Sequence, residues 1–177
     1  ASFTDETIRR FWHATLGAIR GMIRFSKPFV CAVTGFAPAG GTILALTDDF
    51  RIMATGSKHT VGMNEFNMSL QIPRIYGGIY TAYLGEHRAW TAVQQATMYT
   101  AEEAIEVGLV DEVLPENEVL PRALKYCRKL MNVYAPVYAT TKRYQRKSLL
   151  ACVAGDISAE VDEISKNLDD PRFKMML

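Results

Sequence analysis

The stretch Ala37-Pro38-Ala39-Gly40-Gly41 constrains the fold of this chain more than any other part of its sequence. An apolar, β-forming run, Phe29 to Val33, precedes it, and a helix-forming run, residues 42–46, follows it. We therefore predict a buried strand, a tight turn and a helix that begins near Gly40. Adjacent glycines at a helix start let a ligand approach free backbone N–H groups, which suits a developing oxyanion. A tight turn without a ligand is the alternative.

Glu65 is the second candidate for chemistry. It is the only ionisable side chain between His59 and Arg74. Burial among apolar neighbours would raise the pKa of this carboxyl group, because desolvation disfavours the charged form. A carboxylate of that kind can take a proton and return it near neutral pH. The sequence therefore predicts a general base at Glu65, with a solvent-exposed loop glutamate as the alternative.

Composition excludes several classes of function. The 177 residues suffice for one domain with a substantial core, and the net charge is +1. We therefore expect no nucleic-acid partner, and no membrane insertion because no apolar run approaches the roughly 20 residues that a span needs. The three cysteines lie far apart and form no metal-binding spacing, so we predict neither a disulfide framework nor a metal site.

The rest of the chain alternates β and α patterns and then becomes helical. We predict an α/β class, with a core over residues 1–117 and a helical region over residues 118–177 that serves oligomerisation. The expected elements are a helix from Thr4 or Asp5 to about Phe25, strands Phe50 to Ala54, Thr60 to Gly62 and Leu109 to Leu114, a loop from Asn64 to Pro73, two helices separated by Gly85, a capping box at Thr100 to Glu103, a helix Glu118 to Tyr134 broken by Pro136, and one last helix whose apolar stripe runs from Leu150 to Leu168.

The sequence favours a structural role, not a catalytic one, for two groups of charged residues. Asp48-Asp49 suits turn and capping use better than a catalytic carboxylate pair. The basic run over residues 142–147 is typical of a solvated helix end, although it could also face a phosphate-bearing ligand.

Several motifs together resemble the enoyl-CoA hydratase/isomerase (crotonase) family. Residues 27–41 read KPFVCAVTGFAPAGG, like the central motif of that family, and residues 49–52 read DFRI, like its following strand. Residues 101–113 resemble its A-x-x-x-G-L-V-D-x-V stretch, and residues 135–142 a late helix start. The resemblance covers residues 27–150 in order. It implies the crotonase (ClpP-like ββα) spiral fold, here in part, with a C-terminal helical region.

Within the family, residues 38–41 and Asn64-Glu65 are most similar to the mitochondrial Δ3,Δ2-enoyl-CoA isomerases. The resemblance implies that Glu65 and Gly40 are catalytic. It implies that Ala39, Gly41, Pro38, Asn64 and Phe66 bind substrate. Hydratases of the family use two glutamates, and the first falls on Ile43 here. That position therefore favours isomerisation of a 3-enoyl-CoA over hydration of a 2-enoyl-CoA.

The resemblance has further implications. An acyl-CoA thioester is the substrate, CoA enters only as part of it, and no separate cofactor is needed. Relatives form homotrimers or dimers of trimers, and the subgroup works in the mitochondrial matrix. The family domain also has an earlier β-rich stretch that supplies a second oxyanion N–H, so we expect this chain to hold one of the two donors. A catalytically inactive acyl-CoA-binding or structural domain and an enoyl-CoA hydratase are the alternatives.

Overall fold

The computed structural model describes residues 5–56 and 58–168, without the side chains of residues 167 and 168. Its helices are α1 Asp5–Arg24, α2 Gly40–Leu46, α3 Arg74–Leu84, α4 Glu86–Gln94, α5 Ala101–Val107, α6 Glu116–Leu130, α7 Ala135–Gln145, α8 Lys147–Cys152 and α9 Ile157–Leu168. Its strands are β1 Val30–Val33, β2 Ala37–Pro38, β3 Phe50–Ala54, β4 Thr60–Gly62, β5 Met98–Thr100 and β6 Glu112–Leu114, and a 3-10 helix spans Glu65–Met68.

The strands form two small sheets. The first has the order β1-β3-β6 and is parallel throughout. The second has the order β2-β4-β5, in which β2 and β4 are parallel and β5 is antiparallel to β4. Helix α6 packs on β1 and β3, and α3 packs on α2, α4 and α8. The main core contains residues of both sheets and of helices α1, α2 and α3.

Helix α1 shows how sequence pattern directs this packing. Its apolar residues recur every three or four positions, which gives the helix one apolar face. Leu16, Ile19 and Ile23 on that face are buried, and the helix packs chiefly against α9. The predicted helix is confirmed from Asp5 to Arg24, whereas Thr4 lies outside the described residues.

Most predicted elements are confirmed, and several boundaries were wrong. The strand expected from Leu109 begins only at Glu112, because Leu109 N–H and Val110 N–H both donate to Ala104 O and close helix α5. The loop expected from Asn64 contains the 3-10 helix. The sequence pattern missed β2 and β5, which have two and three residues and are too short for a visible period.

The C-terminal helices also differ from the prediction. Helix α6 ends at Leu130, and Pro136 lies in the first turn of α7, where its missing N–H costs no hydrogen bond. The single helix predicted over the Leu150 to Leu168 stripe is two helices, α8 and α9. Asp156 caps the second one by accepting a hydrogen bond from Ser158 N–H at 2.9 Å. The described stripe residues Val153, Val161 and Ile164 are buried, so the stripe does belong to the core.

Asp49 is the centre of a buried charge cluster that the sequence did not predict. Its carboxylate accepts from Lys142 Nζ at 2.7 Å, Tyr138 Oη at 2.8 Å, Arg146 Nη1 at 3.1 Å and Phe29 N–H at 2.9 Å. The Lys142 side chain is only 7% exposed and that of Arg146 is 11% exposed. The assignment of Asp49 to turn use and of the whole basic run to a solvated helix end was therefore wrong. These groups join α7 to the start of β1 and β3.

Asp48 is buried beside this cluster. Its raised pKa predicts how the stability of the fold depends on pH. Burial raises the pKa of Asp48 to about 6, against hydrogen bonds from Cys31 and Thr47 and the charge of Arg51, which lower it. The folded state thus loses stability as the pH rises from the unfolded pKa near 4 to about 6, because the charged form is disfavoured there.

We expect Asp48→Asn to abolish that loss. Relative to the wild type, the variant should therefore become more stable as the pH rises. Its unfolding free energy should gain about 2–3 kcal/mol on that of the wild type between about pH 4 and about pH 7. Denaturant unfolding at the two pH values measures it, with the exposed substitution Glu106→Gln as a control. An unchanged difference across this range would show that Asp48 is not buried in its charged form.

Candidate active site

Two parallel strands bring the glycine turn and Glu65 to one edge of the second sheet. Strand β2 pairs with β4 so that Ala37 lies opposite Val61 and Pro38 opposite Gly62. Because parallel strands point the same way, the residues that follow each strand emerge at the same edge. The turn at Ala39 and the segment that leads to Glu65 are those residues.

The turn itself is strained and firmly held. Ala39 has φ 52° and ψ −118°, a conformation that side chains rarely adopt. Its N–H donates to Gly62 O at 2.8 Å, and its carbonyl accepts from Ile43 N–H at 3.1 Å. The buried Thr42 hydroxyl donates to Ala37 O at 2.6 Å and accepts from Gly62 N–H at 2.7 Å. Strain of this kind persists where the surroundings fix the backbone, as they do here.

Gly40 and Gly41 begin helix α2, as the sequence predicted. Their N–H groups, like those of any first helical turn, have no acceptor four residues earlier in the helix. A Cβ on Gly40 would lie 3.3 Å from Tyr76 Oη, and one on Gly41 would lie 3.3 Å from Ala37 Cβ. The absence of side chains therefore lets the neighbouring groups approach this backbone closely.

Glu65 is the first residue of the 3-10 helix and is 5% exposed. The alternative of a solvent-exposed loop glutamate is therefore wrong. Within the described residues, Oε2 of Glu65 has no hydrogen-bond partner. Burial raises the pKa of this carboxyl group, and a backbone hydrogen bond lowers it in part. A buried carboxylate oxygen without a hydrogen-bond partner is costly to the fold, which points to a role in chemistry.

Two tyrosines of α3 lie near enough to this carboxylate for its charge to act on them, and sequence reasoning missed both of them. Tyr76 is 4% exposed and Tyr80 is fully buried. The charge of Glu65 contributes to raising the pKa of each phenol, after burial, which is the larger cause. Their four-residue spacing places them on one helix face, which the sequence could have shown. Only the three-dimensional packing of α3 brings this face near Glu65.

The remaining predicted site residues surround these groups. Pro38 ends β2, and Asn64 directly precedes the 3-10 helix with its Oδ1 buried and, among the described residues, without a hydrogen-bond partner. Phe66 is 44% exposed and meets the Trp90 ring edge-on, at 6.4 Å between centroids.

A pocket of about 390 Å³ lies between the 3-10 helix, α3 and α4. Met63, Phe66, Ile72, Tyr80, Trp90 and Val93 are among the side chains that line it. Apolar and aromatic side chains dominate this set, as is typical of pockets for small organic ligands.

Over residues 5–56 and 58–168, the structure shows no candidate metal site, no disulfide and no membrane-spanning helix. That part of the chain contains no group of three or more His, Cys, Asp and Glu side chains that could hold a metal ion. Cys31, Cys127 and Cys152 are free thiols. No helix among these residues combines the length and the apolar character that crossing a membrane requires.

The chain is similar to known proteins in sequence and in fold. The family model for enoyl-CoA hydratase/isomerase matches residues 5–174. Enoyl-CoA delta isomerase 1, mitochondrial, of Rattus norvegicus is 38% identical over 138 residues, which are 78% of this chain and 48% of the rat protein. Crotonyl-CoA hydratase of Syntrophomonas wolfei is 32% identical over 112 residues, which are 60% of this chain and 40% of that protein.

The crystal structure of human mitochondrial Δ3,Δ2-enoyl-CoA isomerase superposes with a TM-score of 0.92 at 24% identity. The match covers 99% of this chain and 68% of the human one, which shows a partial crotonase fold. The chain spans about half the length of the rat relative. Family model, relatives and fold agree, and the chain belongs to the enoyl-CoA hydratase/isomerase family.

Proposed function

We propose that the protein is an isomerase that moves the double bond of a 3-enoyl-CoA to give a 2-trans-enoyl-CoA in fatty-acid β-oxidation. The observation that carries this proposal is a single buried carboxylate, Glu65, beside the Gly40 turn. Ile43, where family hydratases have their first glutamate, is apolar and fully buried. Addition of water needs one group to position the water and another to deliver a proton. Migration of a double bond needs one base.

The proposed reaction has two proton transfers through one group. Glu65 takes a proton from C2, and the electrons of that C–H bond move onto the thioester oxygen to give an enolate. The enolate re-forms the carbonyl as the double bond shifts to C2–C3, and C4 takes the proton back from Glu65. The raised pKa of Glu65 supports this role, because a more basic carboxylate takes a proton from carbon more readily.

The thioester oxygen would accept a hydrogen bond from Gly40 N–H during these steps. Gly41, Ala39 and Pro38 would shape the turn around it, and Asn64 and Phe66 would contact the substrate. We assign the apolar pocket beside Phe66 and Trp90 to the acyl chain, because it adjoins the 3-10 helix that carries Glu65. No step of this reaction calls for a cofactor, since CoA is part of the substrate.

Assembly and location are proposed on separate grounds. Helix α6, the segment that joins it to α7 and the start of α7 expose Leu120, Leu124, Met131, Tyr134 and Val137. Several large exposed apolar side chains in one part of a chain are typical of interfaces, which supports a homotrimer or a dimer of trimers. The rat relative is mitochondrial by name, which supports a mitochondrial matrix enzyme.

The two reactions of the family can be compared in one assay. The protein is incubated with a trans-3-enoyl-CoA and, separately, with a 2-trans-enoyl-CoA, and the products are separated by chromatography. We expect 2-enoyl-CoA from the first substrate, and hydration of the second to be at least about 10²-fold slower, because the second acid–base group is missing. Hydration as the faster reaction would identify a hydratase. Thioester binding without turnover would identify an inactive binding domain.

A further inference from the structure

The hydroxyl group of Tyr76 lies at the glycine turn. Its Oη is 3.3 Å from the position that a Cβ of Gly40 would occupy. Its ring is buried and meets Trp12 edge-on, at 6.0 Å between centroids, so the hydroxyl is held in place by packing. The charge of Glu65 also contributes to the raised pKa of Tyr76. The phenol therefore lies near both groups assigned to the reaction.

The carboxylate near this hydroxyl has an unusual property. Oε2 of Glu65 is buried and, among the described residues, has no hydrogen-bond partner. A buried polar group without a partner costs the fold on the order of 1–3 kcal/mol. Such a group is typical of a site that a polar ligand completes.

The protonation state of Tyr76 decides what it can do there. Burial, assisted by the charge of Glu65, raises the pKa of Tyr76 to about 12. The phenol therefore keeps its proton at neutral pH and acts as a hydrogen-bond donor, not as a base. It does not compete with Glu65 for the proton of the substrate.

We propose that Tyr76 is a further catalytic residue, whose Oη–H donates a hydrogen bond to the thioester oxygen as that oxygen gains enolate charge. The inference rests on the proposed function. Tyr76 keeps its own proton throughout, so the proton balance between C2, Glu65 and C4 is unchanged. The phenol would add a side-chain donor to the Gly40 N–H. Donors fixed in advance at a buried site stabilise a developing oxyanion strongly.

The test uses Tyr76→Phe, which removes the hydroxyl and keeps the ring. Acetoacetyl-CoA is the probe, because its enolate absorbs in the near ultraviolet and forms without isomerisation. Titration of the bound probe with pH gives the ratio of enolate to keto form. We expect the variant to lower that ratio by about tenfold or more, and to lower kcat for a 3-enoyl-CoA by about 10²-fold with little change in KM. The exposed substitution Tyr144→Phe should change neither quantity.

The outcomes separate this inference from the function on which it rests. A wild type that isomerises, with a Tyr76→Phe variant that matches it in enolate ratio and kcat, would overturn the role of Tyr76 alone. A wild type that neither isomerises nor stabilises the enolate would overturn both. Near-ultraviolet circular dichroism confirms that the variant keeps its packing, so a lowered ratio then reports the lost hydroxyl.

Discussion

Asp49→Asn is expected to lower the free energy of unfolding by about 3–5 kcal/mol, the range for breaking a buried ion pair by removing one partner. In the wild type, the Asp49 carboxylate pairs with two cations, Lys142 and Arg146, whose side chains are almost fully buried. An amide has the same shape but carries no charge. Burial already lowers the pKa of Lys142, and Asp49 opposes that effect. The substitution therefore leaves a lysine that must lose its proton or remain a buried, uncompensated charge.

Denaturant unfolding at neutral pH measures the effect, which amounts to a large fraction of the 5–15 kcal/mol typical of a domain. Asp5→Asn is the matched control, because the Asp5–Arg9 pair at 3.3 Å is exposed and is expected to contribute at most about 1 kcal/mol. Equal losses in the two variants would contradict a special role for the buried cluster.

A second substitution keeps the prediction testable if Asp49→Asn folds poorly. Lys142→Met removes the ammonium group that the first substitution leaves unpaired. We expect the double variant to lose less stability than the sum of the single losses, with a coupling energy of about 1–3 kcal/mol. Additive losses would show that the 2.7 Å contact between Lys142 and Asp49 does not couple the two residues.

The elements that the sequence predicts correctly are those that residues close together in the chain determine. The tight turn at Ala39, the helix start at Gly40 and the strand Phe50–Ala54 follow from periodicity and residue type, and the structure confirms them. The capping box at Thr100 is confirmed too, since Glu103 N–H donates to the threonine hydroxyl. The burial of Glu65 was predicted from the apolar residues around it.

The parts that the sequence left open depend on contacts between distant residues. Nothing near Asp49 indicates that Lys142, 93 positions later, pairs with it, and an acidic pair after a helix resembles an ordinary turn. Tyr76 has the appearance of a core aromatic until α3 packs against α2 and turns its hydroxyl toward Gly40. The break between α8 and α9 escaped detection because the apolar spacing continues through it.

The central claim is that Glu65 alone carries the proton in isomerisation. Glu65→Gln keeps the size of the side chain and a carbonyl oxygen but can no longer accept a proton from carbon. General acid–base groups typically contribute about 10²–10⁴-fold to a rate. We expect kcat for a 3-enoyl-CoA to fall by that factor. The fold should be no less stable near neutral pH, because the substitution removes a carboxylate whose charge burial disfavours.

The controls separate chemistry from structure. Glu106→Gln, on the exposed side of α5, should leave kcat unchanged. Binding of a saturated acyl-CoA by Glu65→Gln, measured by calorimetry, should stay within a few-fold of the wild type, since the proposed thioester contacts lie at the glycine turn. A loss of binding or of unfolding free energy would assign Glu65 a structural role.

The most direct measurement is therefore the rate at which Glu65→Gln converts a trans-3-enoyl-CoA to the 2-trans isomer, beside the wild type at the same saturating substrate concentration. The single-base account predicts a loss of at least about 10²-fold with thioester binding retained. Turnover within a few-fold of the wild type would contradict it, because another group would then be moving the proton.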